Sequence, residues 1–130
     1  MFKDIKAFSG FSVDDLDAAR KFYGETLGLE LENSGPGFML KISGGNPVLV
    51  YPKEDHTPAT FTILNFPVSN IDEAVDALTA KGVTFETYDN LDGNGTDEKG
   101  VMRGLANNTG PDIAWFKDPA GNILSVLQEA

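Results

Sequence analysis

Residues 115–126 read Trp115-Phe116-Lys117-Asp118-Pro119-Ala120-Gly121-Asn122-Ile123-Leu124-Ser125-Val126, and this stretch decides the fold. Two apolar runs flank a Pro-Gly turn, which predicts a β-hairpin. Residues 39–50 repeat the stretch at a constant offset of 76 positions. The identical pairs are Lys41 and Lys117, Gly45 and Gly121, Asn46 and Asn122, and Val50 and Val126. A chain that repeats itself in this way predicts two copies of one structural unit.

The repeat extends to the segment before each hairpin. Phe11-Ser12-Val13 precedes an amphipathic pattern that Asp14 or Asp15 would cap, and Phe66-Pro67-Val68 lies 55 positions later, before a cap at Asn70. Gly28 and Gly82 provide the stops. Each half therefore predicts a strand, a helix and further strands. The predicted strands cover residues 5–13, 29–32, 38–42 and 47–51 in the first half, and 61–68, 83–88, 101–106, 113–117 and 123–127 in the second.

Length and composition favour one compact domain. The chain has 130 residues, of which 41% are hydrophobic. We expect module one over residues 4–51, a connector over 52–59 and module two over 60–130. A polar excursion over residues 90–99 has no counterpart in the first half and suggests a lid or a dimer contact.

Charge and residue usage exclude several classes of function. The chain has no cysteine, so disulfides, thiolate metal sites and a cysteine nucleophile are excluded. The net charge of −10 argues against nucleic acid and against an anionic membrane surface as partners. Its apolar runs are too short to span a bilayer, and no signal-peptide core is evident. We expect a cytoplasmic protein.

The paired motifs resemble the vicinal oxygen chelate superfamily, which includes glyoxalase I, extradiol dioxygenases, fosfomycin-resistance transferases and bleomycin-binding proteins. The residues that carry the resemblance are 11–16 (FSVDDL), Phe22-Tyr23, Leu27-Gly28-Leu29 and 118–122 (DPAGN). The resemblance implies an α+β fold of two tandem βαβββ modules. Their sheets would form an open barrel around a cavity, with the helices on the outer faces, and we expect a homodimer.

The resemblance also implies four metal-ligand positions, normally His, Gln or Glu. Carried onto this sequence they are Phe8, Leu49, Ile63 and Ser125. Three of these side chains have no donor atom, and the fourth is a neutral hydroxyl. A register shift of one residue gives Ser9, Val50, Leu64 and Leu124 or Val126, which is no better. We therefore expect neither the superfamily's metal nor another cofactor.

A metal-free cavity would be lined by the residues that share the inward face of each sheet. Candidate ligand-binding residues are Phe8, Ser12, Lys41, Leu49, Tyr51, Ile63, Asn65, Arg103, Trp115, Lys117 and Ser125. An apolar wall with a few polar groups is typical of small-molecule pockets. The same residues would equally fill a solid core.

Single side chains suggest more specific roles. Lys41 or Lys117 would bind a carboxylate or act as a base, or simply extend into solvent. Trp115 would stack on a planar ligand or pack in the core. Arg103 would clamp an anion at the cavity mouth or remain solvated. His56, the only histidine, lies in a charged connector that argues against a catalytic role.

A calcium loop is the remaining motif to consider. Asp92, Asn94 and Thr96 alternate as its first ligands do, but Asp97 stands where the loop requires glycine and Arg103 where it requires glutamate. The motif predicts a solvated turn.

Three functions remain open from the sequence. The leading hypothesis is a metal-independent protein that binds a small organic ligand between its modules and sequesters a drug or metabolite. The alternative is a lyase or isomerase that works through Lys41, Lys117, Tyr51 or Ser125, or a metalloenzyme with unrecognised ligands. The third is an interaction module with a filled core.

Overall fold

The computed structural model describes residues 1–89 and 95–130. The chain divides into two compact units, Met1–Pro58 and Ala59–Ala130, and the boundary lies inside the predicted connector. None of the helices in these two stretches has the length and hydropathy needed to cross a bilayer. Residues 90–94, which include Asp92 and Asn94 of the calcium-loop pattern and part of the predicted lid, lie outside the described residues.

The first unit is a four-stranded sheet with a helix on one face. Its elements are β1 (Gly10–Val13), α1 (Leu16–Lys21), a π-helical turn (Phe22–Thr26), β2 (Leu31–Ser34), β3 (Gly37–Leu40) and β4 (Val48–Pro52). The strand order is β1-β4-β3-β2, in which β1 runs parallel to β4 and the other pairs are antiparallel.

Period-two alternation builds the core of the first unit. Phe11 and Val13 of β1, Phe38 of β3 and Val50 of β4 are all buried, as is Tyr23 of the π-helical turn. The Phe11 and Tyr23 ring centroids lie 5.6 Å apart, so this face of the sheet packs against the helical segment. Of the two predicted caps, Asp15 is the one used, and it accepts a hydrogen bond from the Ala18 N–H at 3.0 Å.

The second unit repeats this arrangement. Its elements are β5 (Thr62–Pro67), α2 (Ile71–Ala80), β6 (Val101–Arg103), α3 (Gly104–Asn107), β7 (Asp112–Lys117) and β8 (Ile123–Gln128). The strand order is β5-β8-β7-β6, which matches β1-β4-β3-β2 of the first unit strand for strand. In both sheets the first strand of the unit pairs with the last one. Asn70 caps α2 by accepting from the Glu73 N–H at 3.1 Å. The predicted α+β fold with two repeated units is confirmed.

The helix stops are also where the sequence predicts them. Gly28 and Gly82 have φ angles of 74° and 93°, a left-handed conformation that favours glycine at a helix end.

Two predicted elements of the first unit differ from the structure. The first strand begins at Gly10 rather than Ile5. The Leu49 N–H of the partner strand β4 donates to the Ser9 carbonyl. The next residue of that strand that would donate to this ladder is Pro47, which has no N–H, so the pairing does not extend further back. The first helix ends its regular turns at Lys21 and continues as a π-helical turn.

The largest correction concerns residues 83–88, which are not a strand. Only one bridge, Phe85 with Phe116, joins them to β7. The reason is competition for one edge, because β6 occupies the same side of β7 over Asp112–Ala114. The predicted strand over residues 101–106 is also shorter in the structure. It ends at Arg103, and a helical turn follows.

Candidate functional site

The candidate site lies on the face of the second sheet that points away from α2. Asn65, Ser125 and Trp115 are direct neighbours in register across β5, β8 and β7. Directly opposed residues share a face, so these three side chains form one row. The Ser125 hydroxyl, which is fully buried, donates to Oδ1 of Asn65 at 2.5 Å. The sequence predicted all three residues, and the structure brings them together.

Trp115 is held in place at one end of this row. Its Nε1 donates to the Thr62 hydroxyl at 3.1 Å, and the Tyr88 ring meets it edge to face with centroids 5.5 Å apart. These groups line a pocket of about 220 Å³. The full lining is Thr60, Phe61, Thr62, Tyr88, Trp115 and Ile123.

Two aromatic residues of this pocket have no predicted role. Tyr88 lies at the end of the predicted strand over residues 83–88, three positions after Phe85, so it would point to the other face of that strand. Phe61 precedes β5 and is 68% exposed, which is unusual for a phenylalanine but has no signature in the sequence.

The first unit has a corresponding row on the face of its sheet opposite Phe11 and Val13. Leu49 lies between Gly10 and Met39 in register, and Tyr51 lies opposite Ser12. The Ser12 hydroxyl and Nδ1 of His56 are 2.7 Å apart, a hydrogen bond across the end of β1. The connector position of His56 argues against a role in the site, whereas this tertiary contact places its imidazole at the edge of the row.

The model of the glyoxalase/bleomycin resistance protein/dioxygenase superfamily matches residues 7–126. The chain belongs to this superfamily. No curated protein matches the sequence at a significant level.

Several solved structures share the fold with this chain at low sequence identity. A glyoxalase family protein from Enterococcus faecalis superposes with a TM-score of 0.67 at 20% identity, covering 98% of this chain and 99% of that one. An antibiotic binding protein from a Streptomyces species gives 0.65 at 20% identity, with 98% of each chain covered. The fosfomycin resistance protein FosX from Listeria monocytogenes gives 0.65 at 14%, covering 95% and 92% respectively.

The residues of this chain do not fit the superfamily's divalent metal. Phe8 is 57% exposed and precedes β1, and Ile63 lies where the β5–β8 register shifts between Thr62 and Leu64. Leu49 and Ser125 add one hydroxyl, which is engaged with Asn65. In residues 1–89 and 95–130, no group of three or more His, Cys, Asp or Glu side chains is placed to hold a metal ion. Metal independence itself stays a prediction.

The two predicted lysines each have an acidic neighbour. Lys117 Nζ lies 3.5 Å from the Glu86 carboxylate. Lys41 Nζ lies 3.9 Å from Glu30 and 3.7 Å from Glu32. Both lysine side chains are about half exposed, at 49% and 48%, so these are solvated pairs rather than desolvated bases.

Arg103 lies in an ion-pair network with α2. It does not belong to the row of Asn65, Ser125 and Trp115. Its guanidinium makes a two-pronged contact with Asp72, at 2.8 and 3.0 Å, and its Nε donates to Asp97 at 2.9 Å. Lys99 Nζ adds a bond of 2.9 Å to Asp72. The network fastens the segment that leads into β6 onto α2.

The network shifts the pKa of both carboxyl groups. Hydrogen bonds from Arg103 and then Lys99 hold the pKa of Asp72 well below its usual range. Burial opposes ionisation of Asp97, but the Val101 N–H, Arg103 and the Lys99 N–H outweigh it and lower the pKa of Asp97. Both groups therefore stay charged at neutral pH, and the network is structural.

Proposed function

We propose that this superfamily member binds a small planar organic molecule against Trp115 without using a metal, and that it acts by sequestering that molecule. The observation that carries the proposal is the fixed edge-to-face pair of Tyr88 and Trp115 beside an apolar pocket. A tryptophan whose N–H is satisfied by Thr62 presents a rigid aromatic surface at low entropic cost.

The pocket's size limits the ligand. At about 220 Å³ it is smaller than the roughly 300–1,000 Å³ of drug-sized sites. An apolar cavity of about 150 Å³ accommodates benzene. The pocket would therefore hold one planar ring system of a larger molecule, with the remainder extending beyond it.

The polar groups around the pocket favour binding over acid-base chemistry. Thr60, Thr62, Asn65 and Ser125 offer only neutral hydroxyl and amide groups. The nearby ammonium of Lys117 is paired with Glu86. The net charge of −10 favours a ligand that carries positive charge. The shared fold with an antibiotic binding protein is consistent with a role in sequestration.

A titration of Trp115 tests the proposal directly, because it is the only tryptophan in the chain. We expect a planar cation such as proflavine to quench its emission and to release heat on binding, and a non-planar cation such as cyclohexylammonium to do neither. Trp115→Ala should weaken the affinity for proflavine, measured by calorimetry, roughly 2- to 12-fold. This range corresponds to the about 0.5–1.5 kcal/mol that an aromatic pair contributes. Phe2→Ala, which removes an exposed aromatic from the first unit, is the matched control.

Two results would count against this proposal. One is the absence of heat across a panel of planar cations and planar antibiotics, and the other is unchanged affinity in Trp115→Ala. A stoichiometric divalent ion that survives dialysis of the purified protein would overturn metal independence. Light scattering would test the homodimer, which stays a prediction.

The second candidate function is a lyase or isomerase, and the Ser12–His56 hydrogen bond of 2.7 Å favours it. An imidazole hydrogen-bonded to a hydroxyl beside Tyr51 can accept a proton from a carbon next to a carbonyl. The readout is deuterium incorporation from D₂O into a panel of hydroxyketones, followed by NMR. Incorporation that His56→Gln abolishes and Trp115→Phe retains would favour the enzyme.

A further inference from the structure

A second concave site lies on the opposite, helix-side face of the second unit. It is a groove of about 370 Å³, within the range of small-molecule sites. Val75, Val83 and Phe85 supply its apolar part, while Asp76, Glu98 and Lys99 supply its charges. Among residues 1–89 and 95–130, the lining of this groove shares no member with that of the Trp115 pocket.

The charges of the groove favour a cation. Lys99 Nζ lies 2.9 Å from Asp72 and 3.1 Å from Asp76, so its positive charge is already balanced. Glu98 is exposed and adds a further carboxylate. An apolar floor with a net negative rim complements an ammonium group carried on an apolar body.

The groove and the Trp115 pocket share one chain segment. Val83, Thr84, Phe85 and Thr87 line the groove, and Tyr88 follows directly and lines the pocket. This segment lacks a strand ladder. The bridge between Phe85 and Phe116, and a hydrogen bond of 2.8 Å from the Glu86 N–H to the Trp115 carbonyl, hold it to β7.

The other wall of the groove is also tied to Tyr88. Thr96 exchanges hydrogen bonds with Tyr88, from its N–H to the Tyr88 carbonyl and from the Tyr88 N–H to its hydroxyl, both at 2.8 Å. Two residues later the chain reaches Glu98 and Lys99 at the groove. A ligand between these two walls would therefore brace both segments that position the Tyr88 ring.

We propose that this groove binds a small organic cation with an apolar body, and that its occupation strengthens binding at the Trp115 pocket. A ligand that orders residues 83–88 lowers the cost of ordering them for a second ligand, which is positive coupling. The coupling rests on the proposed function of the Trp115 pocket, whereas the groove as a cation site does not.

The test uses 2-phenylethylammonium as the probe, with 2-phenylethanol and phenylacetate as its neutral and anionic counterparts. In ¹H–¹⁵N NMR spectra of the full chain, we expect shifts at Val75, Thr84 and Thr87, followed by Tyr88 and Thr96. Glu98→Gln should weaken the affinity roughly two- to fivefold, the range of an exposed charge pair. Glu54→Gln, an exposed change of equal charge in the first unit, should leave it unchanged.

The coupling is measured by repeating the proflavine titration with the probe at saturation, where we expect about a fivefold gain in affinity. Equal binding of 2-phenylethanol, or no binding of the ammonium, would overturn the groove site. Shifts confined to Thr62 and Ile123 would overturn it too, while supporting the Trp115 pocket. Groove binding that leaves Tyr88 and the proflavine affinity unchanged would overturn the coupling. The proflavine titration without the probe tests the Trp115 pocket separately.

Discussion

Replacing Asp72 by asparagine should destabilise the second unit by loosening the segment that leads into β6. Asp72 receives both prongs of the Arg103 guanidinium and the Lys99 ammonium. Asparagine keeps the shape but loses the charge and one acceptor. The effect tests whether this network holds residues 97–103 to α2.

The magnitude follows from exposure. The Arg103 and Asp72 side chains are 34% and 46% exposed, so solvent screens the pair. A two-pronged pair of this kind lies near the upper end of the range for exposed pairs, at about 1 kcal/mol. For a chain of this length the melting temperature should fall by roughly 3–5 °C. Loss of the Lys99–Asp72 hydrogen bond should lower the melting temperature further.

The pH dependence has a definite sign. The pKa of Asp72 is lower in the folded state than in the unfolded chain, where it is about 3.9. Its contribution is therefore present above about pH 5 and is lost as the pH falls toward the folded value. The stability difference between the parent protein and Asp72→Asn should be constant from pH 8 to 5 and shrink toward pH 3.

Calorimetry and urea unfolding at several pH values measure both effects. Asp17→Asn is the matched control, because Asp17 lies 55 positions earlier in the first turn of α1 and makes no ion pair with any described residue. Both substitutions remove a favourable charge near a helix N-terminus, so their difference isolates the network. Equal melting temperatures for the two variants, or a difference that does not depend on pH, would refute this reasoning.

Substitutions at three further positions test the fold and the site by urea unfolding. Asp118→Ala should lower the free energy of unfolding by about 3 kcal/mol or more, because the carboxylate accepts hydrogen bonds from the Ala120 and Asn122 N–H groups and the Asn122 amide in a buried turn. Asp118→Asn should lower it by less, and equal losses in the two variants would contradict this account. Ser125→Ala should cost about 1 kcal/mol by removing the buried bond to Asn65, and no loss would show that bond to be dispensable. Phe38→Ala should cost about 3–5 kcal/mol as a core cavity, and a value below about 1 kcal/mol would contradict its burial.

The shared face of Ser125 and Trp115 was predictable because side chains alternate across a strand and the hairpin fixes its own register. Asn65 joins them through the parallel pairing of β5 with β8, across 60 positions of the chain. The helices were predictable for a similar local reason, since Asp15 and Asn70 cap them and Gly28 and Gly82 end them. The apolar residues at the metal-ligand positions were also readable from the sequence, because their donor chemistry does not depend on the fold.

Other parts of the site depend on contacts between residues far apart in the chain. The Ser12–His56 bond joins residues 44 positions apart, and the Trp115–Thr62 bond joins residues 53 apart. Arg103 was a candidate for an anion clamp until Asp72, 31 positions earlier, proved to be its partner. No local pattern contains these pairings.

The sequence by itself determined the repeated α+β unit and the face of each strand that packs on a helix, because caps, turns and alternation act over a few residues. Only the tertiary structure decided that residues 83–88 are a connection with one bridge rather than a strand, because β6 occupies that edge of β7. Residues 83–88 and residues 101–103 both have the apolar pattern of a strand. Each position along that edge of β7 can pair with only one of them. That competition places Tyr88 beside Trp115 and opens the groove behind it.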